Sequence, residues 1–170
     1  MNTTDSQTVT YRYASVELKG GREAMQKALL SIHVLAGIIF VGGSAVAASL
    51  FPRYAPLAGA AGSDERNINV ANAFHRITGR YAVLALIVPV VGIILAFLQG
   101  RSGEIWITLA MALTFSAGVL LAAFIHPIQR EALNKPDDGQ RLRTLGVLAG
   151  IYNLLWAVVV VLMIVRPGAR

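Results

Sequence analysis

The stretch LLSIHVLAGIIFVGGSAVAASLF, residues 29–51, decides the fold of this chain. It lies within a run without Asp, Glu, Lys or Arg that extends from Ala28 to Pro52. A helix rises about 1.5 Å per residue, so a run of this length is long enough to cross a hydrocarbon core of about 30 Å. We therefore predict a membrane-spanning helix over residues 28–51.

The same stretch also resembles a secretory signal peptide. A basic region precedes it, and Ala45-Val46-Ala47 followed by Ala48 has the small-residue pattern of a cleavage site. The basic region is long for a signal peptide, and the apolar run is long enough to span a bilayer. These two features favour a retained span over a cleaved leader.

Three further apolar runs predict spans over about residues 81–99, 105–125 and 144–165. The composition agrees, because 55% of the residues are hydrophobic and only 14% are charged, against about 25% in soluble domains. Short connections make consecutive helices antiparallel. The predicted fold is all-α, an antiparallel bundle of four transmembrane helices with up-down-up-down topology. A polar N-terminal tail, residues 1–26, precedes the membrane domain, residues 27–170.

Local signals predict where the first two helices begin and end. The first helix should begin near Glu23 and end at Pro52. Ser63-Asp64-Glu65 should start a helix that continues into the second span, because a serine cap and two acids suit a helix N-terminus. Pro89 should bend that helix and free the carbonyl of Ala85.

The remaining helix ends are predicted in the same way. His126-Pro127 should end the third helix. The loop over residues 130–143 should follow, with a turn at Asn134-Lys-Pro-Asp-Asp-Gly139.

The net charge of +6 is carried by the segments between and beside the spans. We interpret it as contact with anionic lipid head groups rather than with nucleic acid, since no basic surface interleaved with aromatic residues is present. Seven basic residues flank one side of the predicted bundle and eight the other, so the positive-inside rule hardly decides the orientation. We expect a multi-pass protein of the bacterial inner membrane with a cytoplasmic N-terminus, which keeps the polar tail from crossing.

Small residues spaced by four occur in every predicted span and indicate close helix packing. The predicted packing residues are Gly43 and Ala47, Gly92 and Ala96, Gly118 and Ala122, and Gly146 and Gly150, with Asn153 on the face of the last pair. Packing within one chain, with these residues facing inward, is the simpler interpretation. Homodimerisation through the Gly146–Gly150 face is the alternative.

The three histidines are the candidate cofactor ligands. His75 and His126 should lie on the same membrane side, where they could be axial ligands of a haem b. His33 enters from the opposite side and alone could ligate haem or line a quinone pocket. The three therefore do not converge on one ion, and we predict no metal site. Otherwise each imidazole makes a structural contact with lipid or with a neighbouring helix.

The segment Ile32-His-Val-Leu-Ala-Gly-Ile-Ile-Phe-Val-Gly-Gly43 resembles the first helix of a group of small bacterial membrane proteins. The group includes the copper-resistance D membrane domain and the HemJ type of protoporphyrinogen oxidase. Residues 74–81 and 153–167 resemble uncharacterised actinobacterial proteins with four spans. The HemJ resemblance implies haem-dependent oxidation of a tetrapyrrole, with His33 matching the histidine of the first helix.

Three functional hypotheses follow. The first is a non-enzymatic accessory or scaffold component of the membrane, without catalytic residues. The second is a haem b protein that acts in electron transfer or tetrapyrrole oxidation. The third is a small-molecule permease, which requires a polar cavity between the helices.

Overall fold

The structure is a computed structural model that describes residues 3–59 and 66–168, with side chains from Leu18 onward. This part of the chain is helical throughout and contains no strand. Four of its helices are long and apolar enough to cross a membrane. We name them span I (Leu18–Tyr54), span II (Ile68–Leu98), span III (Ile105–Asn134) and span IV (Gln140–Val165). The predicted all-α fold with four spans is confirmed.

Span I comprises the later part of helix α1 (Thr3–Ala36), a π-helix (Gly37–Gly42, the first π-helix) and a helix α2 (Gly43–Tyr54). The helix begins far earlier than the predicted start near Glu23. It also continues past Pro52, where we predicted its end. Pro52 lies in the last turn, so its missing N–H removes only one helical hydrogen bond, and the amide of Ala55 still bonds to the carbonyl of Phe51 at 3.0 Å.

Span II is divided into α3 (Ile68–Leu84) and α4 (Ile87–Leu98). The side chain of Asn67 caps α3 by accepting hydrogen bonds from two backbone amides. The start that we predicted at Ser63–Glu65 lies outside the described residues. Pro89 has no N–H to donate to the carbonyl of Ala85, four residues earlier in the chain. That carbonyl instead accepts from the amide of Val88 at 3.0 Å, and the helix of span II is interrupted at this point.

Span III consists of α5 (Ile105–Val119), a second π-helix (Leu120–Ile125) and α6 (His126–Asn134). His126-Pro127 does not end the helix, contrary to our prediction. The π-helix makes Pro127 a residue of the first turn of α6, where a proline is tolerated because its missing N–H costs least. The observed connection between spans III and IV is therefore shorter than the loop that we predicted over residues 130–143.

The turn between spans III and IV is formed by residues 135–139. Gly139 adopts a left-handed conformation with φ of 100°, and its amide donates to the carboxylate of Asp137 at 2.9 Å. Span IV is the single helix α7 (Gln140–Val165), which begins one turn before the predicted residue 144.

The largest buried cluster takes residues from all four spans, with Ala71 as its buried member from span II. Its members are small or apolar side chains, among them Ala48, Phe51, Leu121, Ile125, Leu145 and Tyr152. Spans I and II pack antiparallel, since contacts run from Gln26 with Leu98 through His33 with Val88 to Gly43 with Tyr81.

Candidate functional site

His75 of α3 and His126 of α6 lie in direct contact. Their imidazole rings are stacked, with centroids 4.3 Å apart and planes inclined by 16°. Both side chains are half-buried. The structure therefore brings together the two histidines that the sequence placed on one side of the bundle.

A buried amide holds this stack in place. The Nε2 of Gln129 donates to the hydroxyl of Thr78 at 3.5 Å, so its Oε1 faces His75 and accepts from Nδ1 at 3.3 Å. The Thr78 hydroxyl donates in turn to the carbonyl of Phe74 at 2.9 Å. Because an amide oxygen only accepts, the chain of bonds assigns a hydrogen to Nδ1 of His75.

Gly79 provides the space for the second ring. A Cβ atom on this residue would lie only 2.7 Å from Nε2 of His126. We name the group His75, Thr78, Gly79, His126 and Gln129 the histidine cluster.

Sequence reasoning missed three members of the histidine cluster, Thr78, Gly79 and Gln129. A signal for two of them is present, because each histidine is followed three residues later by a hydrogen-bonding side chain, in His75-x-x-Thr78 and in His126-x-x-Gln129. Residues three apart share a helix face.

The stacked arrangement does not fit two axial ligands of one haem iron. A metal bound to an imidazole lies in the plane of the ring, in line with a nitrogen, whereas these two rings face each other with nearly parallel planes. In addition, Nδ1 of His75 is bonded to Gln129, and the edge of His126 carrying Nε2 packs on Gly79. Among the described residues, no group of three or more His, Asp or Glu side chains could hold a metal ion.

His33 occupies a separate position between spans I and II. Its Nδ1 donates to the carbonyl of Val88 at 2.9 Å. Its Cε1 lies 3.0 Å from where a Cβ atom on Gly92 would be. In the described part of the chain, no hydrogen bond or ring contact links it to the histidine cluster.

The small residues of spans I and II face the interior. Ala47 and Ala96 are buried. Gly43 packs against the ring of Tyr81, and Gly92 packs against His33.

The small residues of spans III and IV face outward, contrary to the inward orientation that we predicted. They are Gly118, Ala122, Gly146 and Gly150, all exposed, and nothing lies within 4 Å of a Cβ atom built on any of the three glycines. The interior positions are taken by other residues. In span III these include Ala117 and Leu121, and in span IV they include Leu145 and Ala149.

Asn153 lies on the same outer flank of span IV. Its Nδ2 donates to the hydroxyl of Ser49 of span I at 2.9 Å, and both side chains are exposed. We name Gly146, Gly150 and Asn153 the outer face of span IV.

A second polar contact joins spans I and IV in the interior. The hydroxyl of Ser44 donates to the carbonyl of Val41 at 2.9 Å, so it accepts from the hydroxyl of Tyr152 at 2.8 Å. Both residues are almost fully buried. Ser44 thereby bonds a carbonyl of the first π-helix. The other polar side chains considered for a cavity between the helices, Thr114, Ser116 and Asn153, lie half-buried or exposed.

At the opposite end of the bundle, an ion pair and a contact between a guanidinium group and an aromatic ring link the start of span III to the end of span IV. Arg101 bonds the Glu104 carboxylate at 2.8 Å, Trp106 donates its indole N–H to the same carboxylate, and the Arg166 guanidinium lies 5.9 Å from the Trp106 ring centroid. The hydrogen bond from Trp106 and, after it, the contact with Arg101 hold the pKa of Glu104 below its ordinary value.

None of the protein-family models, curated proteins or solved structures compared with this chain matches it.

Proposed function

We propose that this small integral membrane protein is a non-enzymatic accessory or scaffold component that packs laterally against another membrane helix, in the simplest case a second copy of itself. The outer face of span IV carries the proposal. Lipid tails are as apolar as leucine, so membrane helices associate through close packing of small residues and through hydrogen bonds between helices. This face offers both features.

The two glycines allow a close approach. Gly146 and Gly150 are spaced by four on one side of α7 and have open space beside them. A helix that packs there can bring its backbone nearer than it could against leucine or valine.

Asn153 supplies an unfilled hydrogen-bonding capacity. An amide side chain has two donors and an acceptor, and one donor is used by Ser49. Lipid tails cannot satisfy the rest, whereas a polar group on a neighbouring helix can, at about 0.6 kcal/mol for an average contact of this kind. In a two-fold symmetric dimer the partner's own amide is such a group.

Dimerisation of the full chain in liposomes tests the proposal. Single-molecule photobleaching at increasing protein-to-lipid ratios should show that the wild-type chain dimerises. The dimer should associate about tenfold more weakly in Gly150→Leu, because the added side chain keeps the partner helix from packing closely. Ile151→Phe is the matched control, since Ile151 is also exposed on α7 and lies about 100° around the helix from Gly150. A monomer at every ratio, or equal weakening in both variants, contradicts the proposal.

A further inference from the structure

We propose that an anionic phospholipid head group binds beside the histidine cluster, where Arg76, Arg80 and Arg130 surround the seam between spans II and III. This goes beyond the proposed function, because it concerns a lipid site on a different pair of spans.

The spacing of the three arginines places them around one seam. Arg130 is one turn beyond His126, on the face of α6 that meets α3. Arg76 directly follows His75, and Arg80 lies one turn after Arg76. All three arginines are exposed.

No carboxylate of the described residues forms an ion pair with these arginines. The ion pairs in that part of the chain join Arg101 with Glu104, and Arg141 with Glu131 and Asp137. Glu131, the acidic residue next to Arg130, thus has Arg141 as its partner, at 3.7 Å. Within the described residues, the three guanidinium groups are therefore available to an anion from outside the chain.

The arginines lie at the depth of lipid head groups. Arg80 is the last charged residue before the apolar run of span II, and no charged residue occurs between Glu104 and Arg130 in span III. Arg80 and Arg130 therefore border uncharged runs long enough to cross the hydrocarbon core, and Arg76 lies one turn before Arg80. A phosphate at this depth belongs to a lipid, and guanidinium groups bind phosphate through bidentate hydrogen bonds.

The experiment compares two lipids on the full chain. Native mass spectrometry of the detergent-solubilised protein, with equal amounts of phosphatidylglycerol and phosphatidylcholine, should show preferential retention of phosphatidylglycerol. Removing one arginine in Arg76→Gln or Arg130→Gln should lower this preference about fivefold. Arg130→Lys keeps the charge but not the bidentate hydrogen bonds, so it should lower the preference less than Arg130→Gln does.

The matched control removes the same charge at the other end of the bundle. Arg22→Gln and Lys27→Gln are also exposed substitutions and should leave the preference unchanged. Circular dichroism verifies that every variant is folded. The proposal is overturned if the wild-type chain shows no preference for phosphatidylglycerol, if the control substitutions lower it equally, or if millimolar inorganic phosphate displaces the lipid.

Discussion

At the scale of single residues, three glycines between the spans pack against aromatic or imidazole rings of a neighbouring helix rather than against other glycines. His126 lies on Gly79, His33 lies on Gly92, and the ring of Tyr81 lies on Gly43. Each contact joins two different spans. A missing Cβ atom therefore lets a flat ring approach the backbone of a neighbouring helix.

Replacing Gly79 by alanine tests this role. The new Cβ atom would lie 2.7 Å from Nε2 of His126, so the ring must move and the stack with His75 is strained. We expect Gly79→Ala to destabilise the protein by about 1–3 kcal/mol, as overpacking does in well-packed interiors. The measurement is reversible unfolding in mixed micelles, followed by circular dichroism.

Gly118→Ala is the control for this substitution, since Gly118 is also helical and has open space beside it. Alanine is the better helix former by up to about 1 kcal/mol, so Gly118→Ala should be neutral or stabilising. Equal stability of the two variants would show that the imidazole has room to move.

The residue scale also shows where sequence reasoning stops. His75 and His126 were singled out because histidine is rare and chemically versatile in an apolar segment. Gln129 and Thr78 were not, because a polar residue near the end of a span is unremarkable until its partner on another helix is known. Tyr152 was missed because its ring suits an apolar helix face, while its hydroxyl reaches Ser44 in the interior.

At the scale of elements, the second π-helix orients α6. Ala117, Leu121, Ile125 and Gln129 are all buried and are spaced by four residues. An α-helix has about 3.6 residues per turn, so three steps of four would drift by about 120° across its surface. The wider turn of the π-helix reduces this drift and keeps Gln129 facing the interior.

Deleting Ala123 should convert the π-helix into a regular α-helix. Gln129 then follows Ala117 by 11 residues, and 11 steps of about 100° end within about 20° of three full turns, so Gln129 should still face the interior. The chain has no cysteine, which allows Thr78→Cys and Gln129→Cys to report on the contact. The two side chains are hydrogen-bonded at 3.5 Å, and because the Gln129 side chain is two atoms longer than that of cysteine, a short bifunctional thiol reagent should bridge this pair.

The cross-link should persist when Ala123 is deleted from the double-cysteine chain. Deletion of Ala112, in the regular helix α5, is the contrast, because it relieves no wide turn, rotates α6 by about 100° relative to the start of α5, and should abolish the cross-link. Loss of the cross-link after the Ala123 deletion would mean that the π-helix does not compensate for the extra residue.

The existence of the four spans was predictable, whereas their continuity was not. An apolar run is visible in the sequence because hydropathy is local. The continuation of helix through Pro52 and through His126-Pro127 depends on where the lost hydrogen bond falls within a turn, and the second case also depends on the π-helix. The orientation of Gly118 and Gly146 depends on which competing side chains fill the interior, which hydropathy does not record.

At the scale of the whole molecule, the orientation across the membrane can be tested directly. An even number of spans places both termini on one side, and a cytoplasmic N-terminus keeps the polar residues 1–26 from crossing. We expect a green fluorescent protein fused after Arg170 to fluoresce, because it folds in the cytoplasm. Alkaline phosphatase inserted at Asp138, in the turn before span IV, should be active on the outside. If neither reporter is active, the protein has the inverted orientation. If only one of them is active, both insertion points lie on the same side, which contradicts the up-down-up-down topology.

The length of the first helix has a consequence for where a partner could meet the N-terminal part of the chain. Gln26 bonds to the carbonyl of Leu98 at the end of span II, whereas α1 begins at Thr3. The intervening residues form a rod of about 35 Å, which is longer than the hydrocarbon core is thick. A helix continuous with span I carries this rod clear of the bilayer, so a protein that recognised its tip would have to approach through water rather than through lipid.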